Sequence, residues 1–184
     1  MSNNERHLAR VAGLDISLIP TFWAGTGLLI LLISGGLLLL TDASLLAALG
    51  GGLLGTALYW LAEILHHFGH AIAAQRTGHP MIGVRLGVFL ILGTSLYPQN
   101  EGDLPATLHL RRASGGPITS AILGLIFIAA GALLIQAAGE AGSDLGAWVL
   151  GFGLLNLLYF SLGALIPIMG MTDGSTILYW RKRL

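Results

Sequence analysis

Cysteine is absent and charge is scarce: 9 Lys+Arg and 9 Asp+Glu make up 10% of 184 residues, for a formal net charge of zero. The first absence excludes disulfides and any thiolate metal site, so a bound metal would need imidazole and carboxylate ligands. The second excludes an ordinary water-soluble surface, since soluble domains carry about 25% charged residues. With no net positive charge there is no electrostatic case for a nucleic-acid partner, and none is expected. Also missing from the polar stretch Met1–Gly13 are the apolar core and small-residue cleavage pattern of a signal peptide.

What the chain has instead is apolar length. Hydrophobic residues make up 54% of it, mean hydropathy is +0.79, and glycine occurs 27 times. Glycine at that frequency suits helices that pack closely where lipid removes the water-driven term. A bilayer span needs about 20 consecutive apolar residues. Four stretches meet that length, at residues 20–40, 46–72, 117–138 and 146–167. Trp23–Leu40 contains no charge at all, whereas the second stretch ends on Glu63, His66, His67 and His70.

All the basic residues (Arg6, Arg10, Arg76, Arg85, Arg111, Arg112, Arg181, Lys182, Arg183) precede the first span, separate the second from the third, or follow the fourth. The loops on the other side carry only Asp42, Glu140 and Asp144. The positive-inside rule then predicts both termini and the central loop in the cytoplasm, and a bacterial inner membrane as the location. Within the central loop, Met81–Gly93 is apolar and partly β-branched but too short for another span. It reads as a short β-hairpin or re-entrant segment, or as a plain interfacial loop, since bare backbone at membrane depth needs protein or a wet cavity to satisfy it. The predicted fold is an all-α polytopic membrane protein, a single domain over 1–184, with four transmembrane helices and that hairpin between helices 2 and 3.

The chemistry gathers at His66-His67-Phe68-Gly69-His70. Histidines four apart on a helix share a face and can grip one metal ion, as in the H-E-x-x-H zinc motif. Glu63, His66, His67 and His70 are related by three- and four-residue steps and form one stripe. A lone histidine in a helix is usually a satisfied core residue. Three with a carboxylate inside a membrane segment are not bland, because each ionisable group there costs about 2.5 kcal/mol or more. A catalytic zinc asks for a third protein ligand. The candidate is Asp173, just beyond the fourth span, although an Asp-Gly pair is also an ordinary turn.

Several motifs in order resemble the site-2 protease family of intramembrane zinc metallopeptidases. His66-x-x-Gly69-His70-Ala71, followed by Ala73-Ala74 and Gly78, resembles the family's H-E-x-G-H helix. Gly13-Leu14-Asp15-Ile16 through Pro20-Thr21-Phe22 resembles its entry into the first helix, and Gly115-Gly116-Pro117 its A-G-P turn opening the third core helix. Leu165-Ile166-Pro167 with Asp173-Gly174 resembles the N-x-x-P…D-G element. The resemblance implies Zn2+ held by His66, His70 and Asp173, and substrates that are transmembrane helices cut near the bilayer.

Two departures fall on catalytic positions of the resemblance. His67 stands where the family has its catalytic glutamate, and Ala164 where the asparagine of N-x-x-P would steady the substrate strand or the developing oxyanion. General acid–base assistance is worth about 10²–10⁴ in rate and one oxyanion donor about 10²–10³. Glu63 is a candidate second-shell carboxylate that orients His66 or His67. Two functions follow as expectations. One is a site-2-protease-like metallopeptidase that keeps its zinc while its proteolysis is impaired. The other is a non-enzymatic membrane subunit that binds a transmembrane partner through the inherited cleft.

Overall fold

The computed structural model describes residues 5–137, 139–168 and 170–184; the side chains of 139–142, Glu140 among them, are not described. Met1–Asn4 of the polar amino-terminal stretch and Met169 of the loop before Asp173 lie outside the described residues. The elements in order are β1 (Arg6–Val11), β2 (Leu14–Leu18), α1 (Thr21–Leu40), α2 (Leu45–Arg76), β3 (Gly83–Val88), β4 (Leu92–Leu96), α3 (Ala106–Ala137), α4 (Gly139–Leu154) and α5 (Asp173–Arg181). A π-helical stretch, Leu155–Leu162, and a 3-10 turn, Gly163–Leu165, continue α4.

Among the described residues, four helical segments are long and apolar enough to cross a membrane: Thr21–Leu40, Leu45–Arg76, Ala106–Ala137 and Ser143–Leu165. They leave leucines such as Leu31, Leu39 and Leu46 more than two-thirds exposed, at 72%, 85% and 82%. Continuous apolar exposure of this kind is a liability in water and the normal state in lipid. The chain is therefore read as an integral membrane protein of the predicted class.

Contacts divide the chain into two compact units, one running to Ile64 and taking in Ile82–Pro98, the other comprising Leu65–Met81 and Gln99–Leu184. The first contains a sheet of order β1-β2-β3-β4, antiparallel at both ends and parallel between β2 and β3. The hairpin expected near Met81–Gly93 is thus present as β3–β4, and it forms half of a larger sheet. Its partner hairpin turns at Ala12 and Gly13, both with positive φ (50° and 83°), the conformation that a two-residue turn with the right twist requires. Leu14, Ile16 and Leu18 are buried on one face of β2, and on the other Asp15 is exposed while Ser17 is buried. Arg85 and Ser17 donate to the Glu5 carboxylate, so β3 and β2 hold the residue that leads into β1. The Arg85 guanidinium keeps that carboxyl below its ordinary range.

Within the same unit, α2 is tied to its neighbours by polar contacts from its buried face. The Trp60 indole donates to Thr26 of α1 at 3.1 Å, the Tyr59 hydroxyl donates to the Ile91 carbonyl at 3.0 Å, and the Gly93 amide of β4 donates to Glu63. A buried carboxylate that receives a backbone N–H has a structural reason to be there.

The second unit corrects one boundary. The third helix begins at Ala106, not at the Gly115-Gly116-Pro117 turn, and runs through Pro117 without ending. Proline removes one helical donor, a loss that membrane helices tolerate when neighbouring groups take up the freed carbonyls. α3 and α4 then pack through small residues: Gly124 faces Leu157, Gly131 faces Leu150, Gly146 faces Ile135 and Gly153 faces Ile128. An added Cβ at any of these would meet the opposite helix, so close approach is built into the sequence.

Candidate metal centre

All three proposed ligands lie in the second unit, on two elements. His66 and His70 project from α2, where the four-residue step stacks them on one face. Asp173 is the first residue of α5, whose placement is over-determined. Thr172 caps the helix by accepting from the Ser175 amide at 3.4 Å and donates to the Ile166 carbonyl at 2.7 Å. Gly174 sits against the Leu165 carbonyl with no room for a side chain. At the far end of α5, Trp180 stacks on His109 of α3 with ring centroids 3.9 Å apart and planes 4° from parallel.

These supports bring two imidazole nitrogens and both oxygens of one carboxylate together, and one ligand atom from each of the three residues lies within 4.8 Å of the others. His66 Nε2 lies 3.1 Å from Asp173 Oδ2, His70 Nε2 lies 3.2 Å from Asp173 Oδ1, and the two Nε2 atoms are 3.1 Å apart. Ligands about 2.0–2.1 Å from a tetrahedral zinc stand about 3.3 Å from each other, close to each of these nearest-pair distances. His66 and His70 are buried, and the Asp173 side chain is 18% exposed.

The other ring nitrogens decide what these atoms can do. His70 Nδ1 is 2.8 Å from the Arg112 carbonyl, which only accepts, and 3.3 Å from the Gly116 amide, which only donates; the shorter contact favours the proton on Nδ1. A neutral His70 then turns the Nε2 lone pair towards the Asp173 carboxylate, and two acceptors facing each other call for a cation or a proton between them. His66 Nδ1 is 3.1 Å from Ser120 Oγ, and Ser120 is fully buried. Arg112 is itself fixed, because its guanidinium grips Glu101 at 2.9 and 2.5 Å and donates to the His79 carbonyl at 2.6 Å. That grip holds the Glu101 carboxyl below its ordinary range.

Space for an ion comes from Gly116. A Cβ there would stand 2.5 Å from His66 Nε2 and against His70 Nε2 as well. The donor set, its spacing, the backing of both Nδ1 atoms and this cleared cradle together fit a divalent metal such as zinc. Phe160, buried in the π-helical stretch, has its ring centroid 5.9 Å from that of His66. π-helical turns are uncommon and gather at functional sites, because they re-aim side chains.

His67 is buried in the same cluster, with ring centroids 5.7 Å from His66 and 5.6 Å from His70, and is not one of the converging trio. Glu63 belongs to the first unit, where it receives the Gly93 amide. Ala164 lies in the 3-10 turn beside Leu165, the residue that packs on Gly174. Three contributions escape sequence reading: those of Ser120, of the Arg112 carbonyl and, beyond its place in the Gly115-Gly116-Pro117 motif, of Gly116 beside the imidazoles. Their one signal is the four-residue step 112-116-120 along α3.

Among solved structures the fold is similar to "Site-2 Protease from Methanocaldococcus jannaschii", with a TM-score of 0.61 over 95% of this chain and 69% of that chain, at 21% identity. At that identity the likeness concerns the fold. No protein-family model matches the sequence, and no curated protein matches it.

Proposed function

We propose that this chain is a site-2-protease-like intramembrane metallopeptidase domain that binds one Zn2+ through His66, His70 and Asp173. Its peptide-bond hydrolysis is weakened by His67 and Ala164. The observation that carries the reading is the convergence of two Nε2 atoms and a carboxylate within 3.2 Å of one another, both imidazoles being backed at Nδ1. The four membrane-length helices support transmembrane segments as the substrate class. Zinc in such a site supplies Lewis acidity towards a carbonyl and lowers the pKa of water. The chain's own groups do the rest: α3 orients the imidazoles, Phe160 keeps one side of His66 apolar, and α5 delivers the carboxylate. No carboxylate stands at position 67 to take a proton from the attacking water.

Metal analysis of the purified protein tests this directly. One zinc per chain is expected, lost on Asp173→Ala and on His66→Ala with helical content unchanged. A metal-free protein after purification in zinc-containing buffer overturns the reading. A second reading is favoured by His67 itself: a scaffold that keeps metal and fold and binds a transmembrane partner without cutting it.

The distribution of Lys and Arg supports an inner-membrane protein with both termini in the cytoplasm. A reporter fused after Leu184 is expected to score as cytoplasmic. A periplasmic score would invert this orientation.

A further inference from the structure

α3 meets the two ligand histidines with three residues at four-residue steps: Arg112, Gly116 and Ser120. The outer two are not equivalent. The Arg112 carbonyl can only accept, and at 2.8 Å it is nearer His70 Nδ1 than the donating Gly116 amide at 3.3 Å, so it favours the Nδ1–H tautomer. Ser120 Oγ either accepts or donates, and His66 has a competing partner on its other nitrogen, Asp173 Oδ2 at 3.1 Å. If His66 carried its proton on Nε2, it would donate to Asp173 and close the trio on itself with no metal. If it carries the proton on Nδ1, Ser120 accepts it and the Nε2 lone pair faces the other two donors.

The geometry points to Ser120 as the positioning residue that sets this choice, holding His66 in its Nδ1–H tautomer and so keeping the site ready for metal. A hydroxyl with 0% exposure on an otherwise small-residue helix face is costly unless it is hydrogen-bonded, and His66 is the partner the structure gives it. Second-shell partners of this kind change metal affinity about 10–100-fold. The inference rests on the metal-site reading above, and its test separates the two.

The full chain with Ser120→Ala, Ser120→Thr and Ser120→Val is compared with the unmodified protein by zinc competition against a chelator. Side-chain ¹⁵N NMR of the metal-free forms reports the His66 tautomer. Loss of the hydroxyl is expected to weaken zinc binding about 10–100-fold and to shift His66 towards the Nε2–H form. Threonine, which keeps the hydroxyl, is expected to recover most of the affinity, while valine, of the same shape, does not. Valine rescuing as well as threonine would overturn the assignment, as would Ser120→Ala binding zinc within about twofold of the unmodified chain. If the unmodified chain binds no zinc, the metal reading falls. The NMR arm still decides Ser120: an Nε2–H tautomer in the unmodified protein, or one unmoved by Ser120→Ala, refutes it.

Discussion

Replacing His67 with glutamate is expected to raise cleavage of a model transmembrane substrate by about 10²–10⁴, the range that a positioned general base contributes. The position is already prepared: residue 67 is 5% exposed, follows one ligand histidine directly, and has its ring 5.6 Å from that of the other. Histidine is a weaker choice for the task because a protonated imidazole beside a metal cation is electrostatically disfavoured, whereas a protonated carboxyl is neutral. Adding Ala164→Asn is expected to contribute a further factor of about 10²–10³. Residue 164 adjoins Leu165, whose carbonyl abuts Gly174, so a side chain there starts one residue from the element that delivers Asp173. The measurement is single-turnover cleavage in detergent or vesicles, with His66→Ala as the blank. Strong cleavage by the unmodified chain, abolished by His66→Ala and untouched by His67→Ala, would place the base elsewhere. No cleavage by any variant that still binds zinc would favour the partner-binding scaffold.

What could be read from the residues alone was set by the range of each signal. Long uncharged runs such as Trp23–Leu40 announce a span because nothing else in a protein looks like them. The His66/His70 pair is equally local, one helical turn. The start of α3 was harder: residues 106–116 include His109, Arg111 and Arg112, and Gly-Gly-Pro follows at once, so polarity and proline both argue for a later start. The structure continues the helix because those polar groups have work to do at its head: His109 stacks on Trp180, and Arg112 binds Glu101 and gives its carbonyl to His70.

The β1–β2 hairpin was hidden for a different reason. Leu14-Asp15-Ile16 alternates properly, but a five-residue strand next to a membrane span gives little periodic evidence, and Gly13 can be read as a helix approach as easily as a turn. Asp173 lies 107 residues from His66, so no spacing argument reaches it. Elimination of cysteine and resemblance to a known family singled it out. Ser120, and the part Gly116 plays beside the imidazoles, were invisible because serine and glycine are common throughout membrane helix packing. Only the contact with two imidazoles separates them from the other small residues of α3.

That contact yields the sharpest test of the centre. Gly116→Ala is expected to reduce zinc affinity by more than about 100-fold, beyond what loss of a second-shell partner alone produces. The added methyl would stand 2.5 Å from His66 Nε2 and 2.6 Å from its Cε1, and it would also meet His70 Nε2, so both nitrogens of the proposed site are displaced at once. Helix propensity works the other way: alanine in place of glycine favours a helix by about 1 kcal/mol, so a lost site cannot be put down to a weakened α3. Gly151→Ala, on α4 where an added Cβ meets nothing within 4 Å, serves as the control and should bind zinc like the unmodified protein. The readouts are zinc competition and thermal melting on the same samples. If Gly116→Ala melts normally and binds zinc within about tenfold of the unmodified chain, the imidazoles have somewhere else to go. The cleared cradle above them would then not be where the metal sits.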